Sequence, residues 1–264
     1  MSAMLFGKTI VITGVASGIG ARTAELAATL GADVIGIDRS DPHAAMAGFV
    51  KGDIASQAGV DAVVRHLPAR FDALCNVAGV SGKSGAVATL SVNFYGLRAL
   101  SEAAAPRVRE GGAVVNVASI AGYGWRANLN RATSIVSVEG FPDVKKAVAE
   151  HQVKDAESYP VSKELLLLWT SRAAHLPLFR SRGVRVNAVS PGPVETPILG
   201  EFRAVLGDAR VDSDIGRVGR SGLPADIAPA ILFLCSDGAR WINGANLPVD
   251  GGLEASVNAD VLGF

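Results

Sequence analysis

The chain has 264 residues, 49% hydrophobic and 19% charged, with 25 basic residues balancing 25 acidic ones. Zero net charge without a Lys/Arg stripe argues against a nucleic-acid partner. Cys75 and Cys235 stand in apolar runs without Cys/His neighbours at ligand spacing, which predicts buried free thiols and no metal. MSAMLFGK shows no secretory signal, and the apolar run 165–169 is far short of the roughly 20 residues of a membrane span. The expectation is a cytoplasmic protein with no membrane partner.

In chain order, the pattern predicts a strand over 8–13, a helix over 18–30 and strands over 33–37 and 49–51. A helix over 56–67, a strand over 73–77 and one long or two abutting helices over 86–109 follow. Strands at 113–118 and 184–189 flank a long helix at 159–182, and a helix over 225–235 precedes a last strand at 245–249. Continuous apolar strands alternating with helices imply an α/β fold, a doubly wound parallel sheet covered on both faces. Its ligand crevice lies at the C-terminal strand ends. With no linker and no internal repeat, 1–264 reads as one domain. The polar stretch at about 122–158, with helical pieces, reads as an insertion before the Tyr159 helix.

The first predicted strand runs into Thr13-Gly14-Val15-Ala16-Ser17-Gly18-Ile19-Gly20 and then a helix. Glycine lets the chain turn tightly and approach a diphosphate, and the helix start adds N–H donors and a positive dipole end. A tight turn alone can use glycine for steric reasons. Asp38, 18 residues past Gly20, is the added signal, since its carboxylate can accept both adenosine ribose hydroxyls and repels a 2′-phosphate. Arg39 follows and could tolerate that phosphate, but Ser17 brings no second positive charge. NAD is therefore favoured over NADP. Asp53 could bind the adenine amino group or cap the next helix, and Asn76-Val77-Ala78-Gly79 could lie against a ribose and ring. Gly82-Lys83-Ser84 does not complete a phosphate loop, because the first glycine of that motif would fall on Val77.

Tyr159 and Lys163 are four apart at a helix start and share a face. A phenol titrates near ~10, and an ammonium one turn away favours the phenolate. Ser119 ends the fifth long strand, where a hydroxyl faces the crevice and can hold a substrate oxygen. Asn93 is a polar residue in an apolar helix, as at a kink, and can also hold a water for a proton relay.

Together, TGVASGIG at 13–20, NVAG at 76–79, Asn93, Ser119, YPVSK at 159–163, PGPVETP at 191–197 and RWINGANLPVDGG at 240–252 resemble the short-chain dehydrogenase/reductase family. The resemblance spans nearly the whole chain. It implies a Rossmann-type sheet and a tetrad of Asn93, Ser119, Tyr159 and Lys163. Tyr159 would be the acid/base, and Lys163 would also bind the nicotinamide ribose. It further implies cofactor contacts at Gly14, Ser17, Gly18, Ile19, Gly20, Asp38, Asp53, Ile54, Asn76, Ala78, Gly79, Pro191, Gly192, Val194 and Thr196. The family usually sets its serine about a dozen residues before the tyrosine; here the gap is 40, and the 79–93 segment is short. Both departures resemble a bacterial subgroup of coniferyl-alcohol dehydrogenases and 3α-hydroxysteroid dehydrogenase/carbonyl reductases. DALCNVAG, GPVETPILGEF and RWINGANLPVDGG look closer to the first.

The expected activity is NAD-dependent interconversion of an alcohol and a carbonyl on an apolar, ring-containing small molecule. Ile198, Leu199, Phe202, Val205 and Leu206, at helix-like spacing, could close over it or merely fill core, and Tyr123 and Trp125 could line the pocket. A non-catalytic NAD sensor is the competing class, but it has no use for an intact tetrad; a methyltransferase has no use for Ser119, Tyr159 and Lys163 together. A homo-oligomer is expected, a dimer through 225–250 rather than a tetramer, because the insertion would cover the Tyr159 helix.

Overall fold

The computed structural model describes residues 4–263, the side chain of Leu206 excepted. Seven strands are present: β1 (Thr9–Thr13), β2 (Asp33–Asp38), β3 (Gly48–Lys51), β4 (Phe71–Asn76), β5 (Val108–Val117), β6 (Arg185–Pro191) and β7 (Asn246–Val249). They form one sheet in the order β3-β2-β1-β4-β5-β6-β7, with every pairing parallel. The central strands are apolar on both faces: Ile10, Val11, Ile12, Leu74, Cys75, Val114, Val115, Val186 and Val189 are all fully buried. Edge strand β7 is exposed at Leu247. The chain winds outward in both directions from the β1/β4 pair, which opens a crevice beyond the C-terminal ends of those strands.

The helices are α1 (Gly18–Thr29), α2 (Gln57–His66), α3 (Gly85–Leu90), α4 (Leu97–Ala104), α5 (Leu129–Val136), α6 (Val144–Glu150), α7 (Ser158–Ala173), α8 (Pro177–Arg180), α9 (Pro197–Leu206), α10 (Asp208–Val218), α11 (Pro224–Cys235) and α12 (Leu253–Leu262). One core packs α1 and α11 on the sheet, the other α2, α4 and α7. The two cysteines are free and buried, with Sγ atoms 3.3 Å apart.

Three expectations are corrected. The helix expected over 159–182 ends at Ala173, and Pro177, which has no N–H to continue the ladder, starts the separate short α8. The segment 86–109 is α3, a widened π turn Ser91–Gly96, and α4, which stops before Pro106. Strand β5 therefore begins at Val108, ahead of the predicted 113, and its register with β4 shifts between Phe71 and Ala73. Helices α10 and α12 were not anticipated from the pattern, because both present mixed, largely exposed faces.

Within 122–158, α5 lies over α7 and α6 packs on α3. Leu165, Leu166 and Trp169 of α7 are fully buried beneath this layer. From α4, the buried Arg98 guanidinium donates to the carbonyls of Val136, at 3.3 Å, and Gly140. Among the described residues, no helix is long and apolar enough to cross a membrane, and no His/Cys/Asp/Glu group could hold a metal ion.

Candidate active site

A cleft of ≈ 380 Å³ opens at the C-terminal ends of β1, β2 and β4. Its floor is main chain. Gly14 has φ +78°, and a Cβ there would lie 2.9 Å from the Ala78 backbone; on Gly20 it would lie 2.0 Å from the Gly14 carbonyl oxygen. The turn and the 77–79 loop can approach this closely only as glycine. Thr13 locks them together, its Oγ1 accepting from Val77 N and Ala78 N at 2.9 Å each. Helix α1 begins at Gly18 with no acidic residue in its first turn and no side-chain cap from Ser17. Its first N–H groups are thus left for an anion.

Asp38 closes the far end. Its Oδ2 accepts from Ala16 N at 3.0 Å and its Oδ1 from Ser40 N at 2.9 Å, which fixes the carboxylate at the rim with a lone pair to spare on each oxygen. Arg39 beside it is exposed. Asp53 lines the cleft but caps no helix; Ser56 does that, accepting from Gly59 N. Ile54, Ala78, Gly79, Ser17, Gly18, Ile19 and Thr196 complete the expected lining that the fold brings together. This cradle of bare backbone, uncapped helix start and oriented carboxylate fits a dinucleotide.

Besides Tyr159 and Lys163, which stand beside the cleft without lining it, four expected contacts do not meet it. Asn76 is fully buried and faces away, donating through Nδ2 to Ser101 Oγ at 2.7 Å and Asn116 Oδ1 at 2.8 Å. Asn116 donates in turn to Thr170 Oγ1, so these residues tie β4 and β5 to α4 and α7. Gly192 and Val194 line a second cavity beside α11 and Asp250, and Pro191 is buried as the last residue of β6. Thr196 and Pro197, further along that stretch, reach the dinucleotide cleft.

The four polar residues of the expected tetrad do converge. Ser119 ends β5's continuation and caps the turn behind it, Oγ accepting from Ala121 N at 3.1 Å. A Cβ on Gly122 would lie 2.9 Å from the Lys163 backbone, so that turn packs directly on α7. The Ser119 hydroxyl lies close enough to the Tyr159 phenol to favour its ionised form, and Lys163 Nζ sits 5.5 Å from the Tyr159 ring centre. Lys163 is almost wholly buried and donates to the Val117 carbonyl at 2.8 Å. Asn93 sits in the π turn as a clamp: Oδ1 accepts from Val80 N, while Nδ2 donates to Val80 O and Ser162 Oγ. Both amide donors are thereby engaged, so a relay water would have to use the main chain or the remaining lone pair.

The electrostatics differ from the expectation that Lys163 draws the phenol down. Burial pushes Tyr159 up to about 12, against a smaller lowering by Ser119, and burial pushes Lys163 down to about 8. The ammonium is spent on a neutral carbonyl, and neither group has an opposite charge in contact. Desolvation of both charged forms therefore wins.

Of the expected pocket residues, Ile198 lines the dinucleotide cleft, Leu199 is buried and Val205 is 40% exposed. The side chain of Leu206 lies outside the described residues. Tyr123 turns to α12 and hydrogen-bonds Asn258, while Trp125 packs toward the core under the Arg126 guanidinium, 4.4 Å away. Glu201 was missed. It lines the cleft and accepts from the buried Ser81 hydroxyl, 120 residues away, a pairing with no local sequence signal.

Comparison with known proteins agrees with this geometry. The family model for short chain dehydrogenase matches residues 8–154, and that for enoyl-(acyl carrier protein) reductase matches 143–254. The chain is 40% identical over 252 residues to coniferyl-alcohol dehydrogenase of Pseudomonas sp. (strain HR199 / DSM 7063), covering 96% of this chain and 98% of that protein. It is 29% identical to 3-alpha-hydroxysteroid dehydrogenase/carbonyl reductase of Comamonas testosteroni, over 93% of this chain and 96% of the other. The crystal structure of the 3-alpha-hydroxysteroid dehydrogenase from Pseudomonas sp. B-0831 complexed with NADH superposes with a TM-score of 0.82 at 32% identity, covering 95% of this chain and 98% of that one.

Proposed function

Because the chain belongs to the short chain dehydrogenase family and is an oxidoreductase of that kind, we propose that it interconverts an alcohol and a carbonyl on an apolar, ring-containing substrate with NAD. The observation that carries this is the convergence of Ser119, Tyr159, Lys163 and Asn93 at the inner end of a cleft whose outer end is Asp38. Gly14 and residues 17–20 would hold the pyrophosphate, Asp38 the adenosine ribose, Asp53 and Ile54 the adenine side, and Lys163 the nicotinamide ribose. Bound there, the nicotinamide supplies a carbon that exchanges hydride and, when oxidised, a positive charge beside the phenol.

The chain's own residues do the rest. Ser119 Oγ donates to the substrate oxygen and fixes it within ~2.6–3.2 Å of Tyr159 Oη, the reach needed for proton transfer. In oxidation Tyr159 acts as the phenolate, its own proton having passed out toward Lys163, and Oη takes the hydroxyl proton; in reduction the neutral phenol gives its proton to the carbonyl oxygen. Lys163, held by the Val117 carbonyl, keeps a cation one turn from the phenol. The test is a substrate panel followed by NADH absorbance, with benzylic and cinnamyl-type alcohols, hydroxysteroids and small cyclic alcohols. Turnover of aromatic alcohols is expected; no turnover of any alcohol with either nicotinamide cofactor would refute the assignment. The hydroxysteroid reading is favoured by the 0.82 TM-score match, and the same panel separates the two.

We also infer a homodimer through the β7 edge and α11. Phe233, Trp241 and Leu247 are exposed there, Trp241 at 98%, whereas the α7 face is covered by the chain's own α5. An exposed tryptophan beside an open sheet edge is a candidate interface. Light scattering should give a dimer that Trp241→Glu converts to monomer; a wild-type tetramer would contradict this.

A further inference from the structure

Ser119, Tyr159 and Lys163 do not line the large cleft, although they meet at its inner end. The cause is α9. Phe202 sets its ring on Tyr159, with centroids 4.5 Å apart and planes at 62°, an edge-on aromatic contact. One residue earlier, Glu201 accepts from the Ser81 hydroxyl. Ser81 is fully buried in the loop that follows Gly79 and also accepts, through Oγ, from Lys83 N. Helix α9 is therefore pinned by one hydrogen bond across the cleft and by one ring over the phenol.

The Phe202 ring fills the space beside the Tyr159 ring, which is itself part-exposed, so an alcohol that brings its own ring there has to displace Phe202 and with it α9. What Phe202 then faces is set by chemistry. A carbinol whose oxygen sits on Tyr159 and Ser119 carries its own ring into the space between Tyr159 and α9. Aromatic pairs hold favourable geometry at centroid separations of roughly 4.5–7 Å, so an aryl ring can take up the contacts that both residues give up. An alkyl group of the same size offers no such contact, and a ligand moves an equilibrium only by its differential affinity.

We propose that Phe202 is a specificity-determining residue that clamps the substrate's aromatic ring against Tyr159, with the Glu201–Ser81 hydrogen bond as the latch of the helix that carries it. This rests on the alcohol dehydrogenase reading above and narrows its substrate class to aryl alcohols.

Two measurements on the purified 264-residue protein test it. The first needs no activity: acetylation of phenols by N-acetylimidazole, mapped by peptide mass on the three tyrosines. Exposed Tyr123 should label in every variant, and Tyr159 should be protected in wild type but labelled several-fold faster in Phe202→Ala and in Ser81→Ala. Equal Tyr159 labelling in wild type and Phe202→Ala overturns the clamp. The second is the ratio of kcat/KM for benzyl alcohol over cyclohexylmethanol, which match in size but not in aromaticity. Phe202→Ala should lower that ratio about five- to tenfold, mainly through KM, and Phe202→Tyr should restore it. An unchanged ratio, or an equal gain for both alcohols, makes Phe202 a plug and overturns its role in specificity. Should wild type turn over neither alcohol, the aryl-alcohol reading fails and the substrate clamp with it, while the labelling still reports whether Phe202 covers Tyr159 and the wider panel tests the dehydrogenase reading itself.

Discussion

The two walls of the cleft are made from different material. On the β1, β2 and β4 side the surface is backbone: glycines at 14, 18 and 20, the 77–79 loop, and the start of α1, with Thr13 and Asp38 hydrogen-bonded to main-chain N–H groups. On the α9 side the surface is side chains, and behind it α10 and α12 are held by side-chain pairs that bridge distant parts of the chain. Ser81 meets Glu201, Tyr123 meets Asn258, and Arg217 meets Asp260 and Ser256. A dinucleotide has one shape, and a short run of φ, ψ values can be cut to fit it. A substrate wall has to be set case by case, and here helices held by few contacts carry it.

That contrast breaks first at the chemistry, where the two walls meet. Tyr159→Phe keeps the ring that Phe202 packs on but deletes the proton carrier, so turnover should fall by about 10² or more while NADH binding survives. Stopped-flow and fluorescence titration on one preparation would show it. Near-normal turnover on the best alcohol would remove Tyr159 from its role.

The next test contrasts two glycines. Gly20→Ala forces a Cβ to 2.0 Å from the Gly14 carbonyl, backbone against backbone, and should destabilise by about 1–3 kcal/mol and weaken NADH binding with it. Gly200→Ala, in α9 with nothing within 4 Å of the new Cβ, should be neutral or stabilise by about 0.5–1 kcal/mol. Thermal melts with and without NADH separate them, and equal effects would mean the walls do not differ in this way.

How legible each wall was in the sequence follows from the same difference. The turn 13–20, Asp38 and the Tyr159/Lys163 pair announce themselves within 20 residues or one helical turn; the fold brings the first two to the cleft and sets the pair together beside it. The parallel order of the sheet was readable because β1, β4, β5 and β6 are apolar on both faces. Pro106 and Pro177 were visible in the sequence, yet the apolar periodicity on either side masked the breaks they make. Asn76 was misassigned because a strand-end asparagine looks the same whether it turns to the ligand or into a buried network. Glu201 could not be read at all, since its partner Ser81 is near only in the folded chain.

A smaller effect is expected at Asp38, the outermost part of the backbone wall. Asp38→Ala removes the carboxylate that would accept the ribose hydroxyls and repel a 2′-phosphate, so the NAD-over-NADP ratio of kcat/KM should narrow about tenfold or more. Wild type using both cofactors equally would defeat the preference, and the exposed Arg39 is the residue that would then explain it.

The smallest expected effect is a gain in stability, and it sharpens the comparison from within the tetrad. Lys163 is buried and donates only to a neutral carbonyl, and burial lowers it from its ordinary 10.5 to about 8. Below pH 8 the lysine is protonated in both the folded and unfolded chain, so the full penalty of burying the charge is present. As pH rises from 8 toward 10.5 the folded lysine has lost its proton while the unfolded one keeps it, stability rises, and the penalty disappears. That interval corresponds to about 3 kcal/mol withheld at neutral pH. Lys163→Met removes the penalty but leaves the Val117 carbonyl without its donor, at about 1–2 kcal/mol. The variant should thus be inactive yet melt a few degrees above wild type at pH 7, by about 2–4 °C for each 1 kcal/mol gained. Its advantage should shrink steadily between pH 8 and 10.5. A variant less stable than wild type at pH 7 would show that the Val117 hydrogen bond outweighs desolvation, and that the tetrad's cation stabilises the fold it sits in.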